Sequence, residues 1–112
     1  MAYLDETGLS QVWGKIKLGF PQMKCLEIDA SDSASFSFSS GSKLVMHSIG
    51  GTSSICGEWI VSYDGSITNA AVKSASDISV TISGQTMTVA NNNATNAVKI
   101  CFLVFVGGVE EN

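Results

Sequence analysis

The stretch that decides the fold is Val98-Lys99-Ile100-Cys101-Phe102-Leu103-Val104-Phe105-Val106, close to the end of the sequence. Successive side chains of a β-strand point to opposite faces, so a strand with one solvent-exposed face carries a polar residue at every second position. From residue 100 onward this stretch is apolar at both sets of alternate positions. One set is Ile100, Phe102 and Val104, which suits a sandwich interior; the opposite set is Cys101, Leu103 and Phe105. We expect a second subunit to cover the opposite set, with a short helix near the start of the chain as the alternative.

Shorter runs with the same alternation fill most of the chain after residue 22. The run Ser35-Phe36-Ser37-Phe38-Ser39 alternates cleanly, Asp64-Gly65 is typical of a type I′ hairpin turn, and Gly84-Gln85 predicts another tight turn. Strands of this kind, separated by frequent turns, are typical of two-layer β proteins. We therefore predict an all-β chain whose residues 23–112 form an antiparallel, jelly-roll-like β-sandwich of about eight strands. We expect its polar tail, residues 107–112, to fray.

Residues 1–22 are predicted to form a separate unit, a short N-terminal α-helix. Leu9, Val12, Trp13 and Ile16 recur at helical spacing and share one face. A helix of this length is marginal on its own, so its apolar face must pack on something. We interpret the segment as a device for attachment or trimerisation.

Composition excludes several kinds of partner. The chain has 112 residues, of which 14% are charged, and its net charge is −4. All of the basic residues are lysine. The chain therefore lacks arginine, whose guanidinium group makes the paired hydrogen bonds that nucleic-acid-binding proteins favour, and we predict no nucleic-acid partner. The longest apolar run, residues 100–106, is too short to span a bilayer, and no apolar segment resembles a signal peptide. We therefore predict neither a membrane partner nor secretion.

The three cysteines show no spacing typical of a metal or redox site. Cys25, Cys56 and Cys101 are far apart in the sequence and odd in number. We expect reduced thiols that act as small apolar side chains, with a single disulfide as the alternative.

No set of residues points to catalysis. His47 is the single histidine and has no neighbouring ligand or nucleophile, and the sequence contains no Gly-x-Ser-x-Gly motif. Glu58 is an isolated acid beside Trp59, whose place in an alternating strand favours the core over a sugar-stacking role. We predict that the protein is not an enzyme and has no catalytic residues, no metal site and no cofactor.

One segment resembles a known family. The stretch Leu4-Asp5-Glu6-Thr7-Gly8-Leu9-Ser10-Gln11-Val12-Trp13-Gly14-Lys15-Ile16-Lys17 resembles the opening of tail-fibre and other virion structural proteins. These proteins belong to phages and prophages of Gram-positive, often gut, bacteria. The remainder of the chain is similar to them in style, with Ser/Thr/Asn-rich strands that end in a strongly apolar one. It lacks the long shaft of many tail fibres. The resemblance is therefore compatible with a tail fibre, a head fibre or a baseplate appendage.

The resemblance implies a homotrimeric appendage of a virion that is made in the cytoplasm of a bacterial host. The N-terminal segment would dock to other virion proteins or start a trimeric bundle, and the sandwich would face the host. The predicted oligomer-interface residues are Cys101, Leu103, Phe105, Leu9, Trp13 and Ile16. The alternative function is a free carbohydrate-binding β-sandwich module, which predicts monomers with an exposed aromatic platform.

Recognition is expected to come from loops, because loops on a rigid scaffold commonly carry binding residues. Two polar loops, residues 52–54 and 91–96, are the candidates, and their ligand would be a glycan of the host cell surface. The predicted ligand-binding residues are Thr52, Ser53, Ser54, Asn91, Asn92 and Asn93.

Overall fold

The computed structural model describes residues 22–112, so the predicted N-terminal helix lies outside the described residues. Within that range the chain is almost entirely β, with one short 3-10 turn at Ser53–Ile55. The strands are β1 (Gln22–Ile28), β2 (Ser33–Phe38), β3 (Lys43–Ile49), β4 (Gly57–Tyr63), β5 (Ile67–Lys73), β6 (Ile78–Ser83), β7 (Thr86–Asn91), β8 (Val98–Val106) and β9 (Val109–Glu111).

These strands form two antiparallel sheets. The five-stranded sheet has the order β1-β8-β3-β4-β5, and the four-stranded sheet has the order β6-β7-β2-β9. Strand β8 lies between β1 and β3, so the most apolar segment of the chain is the second strand of the larger sheet. The prediction of an all-β, antiparallel two-sheet chain is confirmed for the described residues.

The core lies between the sheets and is built around one face of β8. Ile100 and Phe102 are almost completely buried, and the Phe102 ring meets the Phe36 ring edge-on, with centroids 4.8 Å apart. Edge-to-face packing of this kind adds to the gain from burying the two rings. Trp59 is also buried, which confirms its predicted place in the core.

The expectation of a frayed tail is wrong. Residues 109–111 form β9, which pairs with β2 through Phe38 opposite Val109. Val109 enters the core. The Ser42 hydroxyl donates to the carbonyl of Ser39 (2.6 Å) and accepts from the amide of Gly108 (3.1 Å), which fixes the turn before β9. Backbone pairing with β2, one buried apolar side chain and one buried hydroxyl thus hold a tail whose composition is otherwise polar.

One of the two predicted turns differs from expectation. Asp64 and Gly65 lie in a three-residue loop between the paired residues Tyr63 and Ile67, and only Gly65 adopts a left-handed conformation (φ +76°). A type I′ turn needs positive φ at both central residues, so that prediction is wrong. Gly84-Gln85 is a two-residue connection whose Gly84 has φ +61°, and this confirms the predicted tight turn.

The expectation of reduced thiols is wrong for two of the three cysteines. Cys25 on β1 and Cys101 on β8 lie directly opposite each other, with Cα atoms 4.1 Å apart, and form a disulfide. The two residues are 76 positions apart, so no spacing rule along the chain links them. Cys56 is a free thiol and donates to the carbonyl of Thr52 (3.3 Å).

Candidate functional site

The outer face of the five-stranded sheet, the face turned away from the core, carries a continuous row of apolar side chains. Residues directly opposite each other on paired strands share a face. Following the register from β1 to β5 gives one line of five residues, which we name the apolar row: Met23, Leu103, Val45, Ile60 and Ala70.

The apolar row is largely in contact with solvent. Met23 is 69% exposed and Ile60 is 53% exposed, while Leu103 and Val45 are half-buried. Phe105, two residues beyond Leu103 and close to a register shift between β3 and β8, is 52% exposed. Apolar side chains that are exposed singly are ordinary, but a contiguous patch of them marks an interaction surface.

The edge strand β5 adds a second uncovered feature. Residues 68–73 are exposed on both faces of β5, so the four-stranded sheet does not cover this strand. Natural proteins protect long bare edge strands, because unpaired backbone groups invite pairing with another chain. The β4–β5 side of the sheet is therefore a second surface suited to a neighbouring molecule.

A depression lies beside the apolar row on the β1–β8–β3 side. The next row along the sheet begins with Cys25 and Cys101, whose disulfide is small compared with the side chains around it. The depression, which we name the disulfide groove, has a volume of about 350 Å³. It is lined by the disulfide and by Met23, His47, Ile49, Lys99 and Leu103.

The structure also places the predicted interface residues of β8. Cys101 is only 8% exposed, because its disulfide partner covers it within the same chain. Leu103 and Phe105 retain exposed apolar surface. Leu9, Trp13 and Ile16 lie outside the described residues, and the interface role of all six residues stays a prediction.

His47 and Glu58 lie side by side on this face. They are opposite each other on β3 and β4, and His47 Nε2 is 3.6 Å from Glu58 Oε1. Both side chains are substantially exposed. Across residues 22–112, no group of three or more His, Cys, Asp or Glu side chains is placed to hold a metal ion.

A different candidate site lies at one end of the sandwich, where three loops are joined by hydrogen bonds. The amide of Asp77 donates to the carbonyl of Ser54 (2.9 Å), and the amide of Asn92 donates to the carbonyl of Asp77 (2.7 Å). We name the group Thr52–Ser54, Asp77 and Asn91–Asn93 the loop end. The two loops selected from the sequence are thus brought together. That Asp77 joins them could not be predicted from local patterns, because these contacts depend on the tertiary structure.

Within the loop end, Asn91 holds the backbone in place. Its side chain is 1% exposed, and its Nδ2 donates to the carbonyls of Asn96 (2.8 Å), Asp29 (3.2 Å) and Ile28 (3.3 Å). Its Oδ1 accepts from the amide of Asn93 (3.1 Å). The Asn91 side chain is therefore fully engaged within the fold.

Asn93 is also engaged, and the accessible polar groups come from its neighbours. Asn93 Oδ1 accepts from the amides of Asn96 (2.8 Å) and Thr95 (3.0 Å), and its Nδ2 donates to Asp77 Oδ2 (3.0 Å). Ser53 and Asn92 are exposed, whereas Thr52 and Ser54 are half-buried. Ligand binding by these loops stays a prediction, and Ser53 and Asn92 are the residues best placed for it.

Comparisons with known proteins give a likeness of fold. No family model and no curated protein matches the chain. Among solved structures, the chain is similar to tailspike protein gp49 of Acinetobacter baumannii bacteriophage Fri1, a capsular polysaccharide depolymerase, with a TM-score of 0.58 and 15% sequence identity. The match covers 82% of this chain and 19% of the tailspike.

That likeness defines the class of fold. The described residues form an antiparallel β-sandwich of a kind that also occurs within a phage tailspike. The chain corresponds to about a fifth of the tailspike's length. Within residues 22–112, we find no helix with the length and apolarity needed to cross a membrane.

Proposed function

We propose that the protein is a structural component of a phage or prophage virion: a tail fibre, a head fibre or a baseplate appendage. The observation that carries this proposal is the likeness of its sandwich to part of a phage tailspike. The N-terminal resemblance to tail-fibre proteins supports it as well, because that resemblance rests on the sequence of residues 4–17 and not on the fold. That segment is the proposed attachment point to other virion proteins.

We propose further that the protein assembles as a homotrimer. The apolar row and the doubly exposed strand β5 support this, because a solitary chain leaves both in water. In this assembly Leu103, Phe105 and the N-terminal segment with Leu9, Trp13 and Ile16 lie at or near the contacts between copies. The jelly-roll description belongs to the proposal too, and it is supported by β1, β8 and β3 lying together in one sheet while β7 and β2 pair in the other.

The proposed recognition surface is the loop end, and its proposed ligand is a glycan of the host cell surface. Exposed hydroxyl and amide groups at Ser53 and Asn92 suit hydrogen bonding to sugar hydroxyls. The alternative function, a free carbohydrate-binding module, is not favoured, because its main candidate for sugar stacking, Trp59, is buried.

We propose that this role is not enzymatic, although the structural neighbour is a depolymerase. Incubation with purified capsular polysaccharides, followed by an assay for new reducing ends, tests this point. We expect no reducing ends above the level of a heat-denatured control, and their release in proportion to protein concentration would contradict the proposal.

The virion role is tested by mass spectrometry of particles purified on a density gradient from the strain that carries the gene. We expect peptides of this protein to band with the major capsid protein. Their presence only in the soluble lysate would overturn the virion assignment. Recognition is tested separately by binding the purified protein to an array of bacterial surface glycans. Asn92→Ala is expected to weaken binding, and Ile82→Ala, at the opposite end of the four-stranded sheet, is the control.

A further inference from the structure

We propose that residues 4–17 pack their apolar stripe onto the β1–β8–β3 part of the outer face of the same chain, with Trp13 at the disulfide groove. The inference concerns what covers this face. It does not require the virion role, so each can fail without the other. It assigns Leu103 and the N-terminal segment to each other within one chain, and it leaves the contacts between copies to the β4–β5 part of the face.

The first support is the shape and chemistry of the receiving surface. The disulfide groove is bordered by the exposed side chain of Met23 and by Leu103, and it runs beside the apolar row. Its volume of about 350 Å³ is sufficient for one large aromatic side chain. Ile49, which is 51% exposed, borders it on the side away from the apolar row.

The second support is the sequence that precedes β1. Twenty-one residues lead into Gln22, and their pattern places Leu9, Val12, Trp13 and Ile16 on one face of a predicted helix. Such a stripe needs an apolar surface to cover it, and the outer face provides one where the chain enters the sheet. Met23, the second residue of β1, lies on that face.

The third support is the short connection, which favours the same chain over a neighbouring copy. Between residue 17 and Gln22 the chain can extend by about 17 Å. Strand β3 is two strands away from β1, at about 4.8 Å per strand, so the whole receiving surface is within reach. A short tether gives the segment a millimolar effective concentration at this surface.

The outer face also carries an acid that suits the lysines of the segment. The segment closes with Lys15 and Lys17, and Glu27 lies on the outer face of β1, five residues after Gln22. Glu27 stands opposite Lys99, so a second lysine nearby can share its carboxylate. The β4–β5 part of the face, with Ile60, remains uncovered and is free to meet another copy.

A spin-label experiment on the full chain tests the proposal. In a Ser10→Cys, Cys56→Ser variant, a nitroxide attached at position 10 is expected to remove most of the methyl NMR intensity of Leu103 and Val45. The methyl groups of Ile82, on the four-stranded sheet, serve as the internal control and should keep their intensity. If the methyl groups of Leu103, Val45 and Ile82 all kept the same fraction of their intensity, the proposal would be overturned.

A mixed sample identifies which chain supplies the segment. The nitroxide and the isotope label are placed on different chains, which are mixed before refolding. We expect Leu103 and Val45 to keep their intensity in this sample, and losses as large as those in the singly prepared sample would assign the segment to a neighbouring copy and overturn the proposal as stated.

Limited proteolysis provides a second measurement. Docking shields Lys15 and Lys17 from trypsin, so Leu103→Glu is expected to raise the cleavage rate at these two sites several-fold. Ile82→Glu is the matched control, because it adds the same charge at an exposed apolar position of the other sheet. Cleavage at the same rate in both variants would contradict docking on this face.

Discussion

At the scale of single residues, two buried serines are in opposite situations. The Ser42 hydroxyl has a donor and an acceptor partner, whereas the Ser48 hydroxyl is buried without a hydrogen-bond partner among the described residues. A buried polar group without a partner retains its cost of desolvation, and removing one member of a satisfied pair leaves the other unpaired.

We therefore predict opposite effects for the two alanine variants. Ser42→Ala should lower the free energy of unfolding by about 1–3 kcal/mol, because the Gly108 amide loses its acceptor, while the Ser39 carbonyl keeps its hydrogen bond from the backbone amide of residue 42. Ser48→Ala should leave it unchanged or raise it. Urea denaturation of both variants measures the difference, and equal losses would show that the Ser48 hydroxyl is satisfied in solution.

Asn91 and Asn92 are adjacent and form a matched pair for the loop end. Asn91→Ala removes the side-chain donor to the Asn96 carbonyl and the side-chain acceptor of the Asn93 amide, so we expect a loss of about 1–3 kcal/mol in the free energy of unfolding. Asn92→Ala changes an exposed side chain, so its effect should stay within about 0.5 kcal/mol. Thermal unfolding of the two variants compares them directly, and a larger loss for Asn92 would contradict the assignment of roles.

At the scale of elements, strand β1 depends on its connection to β8. It is an edge strand whose residues 22–25 are exposed, and the Cys25–Cys101 disulfide joins it to its one neighbour in the sheet. In the chain-entropy account, a disulfide that closes a long loop stabilises the fold by restricting the unfolded chain.

We predict that a Cys25→Ala, Cys101→Ala variant loses about 2–4 kcal/mol of stability. Amide exchange should rise mainly in β1, because the rest of the sheet keeps its ladder. Cys56→Ala is the control and should retain the protection of β1. Hydrogen exchange read by mass spectrometry decides the point, and unchanged protection of β1 in the double variant would show that pairing alone holds the strand.

The elements also show what local sequence patterns can predict. The alternating stretches over β2 and β4 identify strands, because burial on one face imposes a period of two, and β8 is identified by its continuous apolar run. Strand β9 is missed, since three residues with one buried apolar side chain are too short to show a period. The disulfide and the joining role of Asp77 depend on contacts between distant segments, which no spacing along the chain reveals.

At the scale of the whole molecule, the outer face of the five-stranded sheet sets the expected behaviour. The doubly apolar pattern of β8 predicts a second covered face from sequence alone. The length of the apolar row, across all five strands, follows from the strand order and register that only the structure provides. The central claim is that this face is an interface in the working protein.

Light scattering during size-exclusion chromatography tests that claim most directly. We predict that the wild-type protein elutes with three times the mass of one chain. Ile60→Lys should lower the measured mass toward that of one chain, because a lysine at an exposed position of the β4–β5 part disrupts contact with a neighbouring copy. Ile82→Lys, on the other sheet, should keep the trimer mass. A wild-type protein that elutes with the mass of one chain at all concentrations would contradict the account.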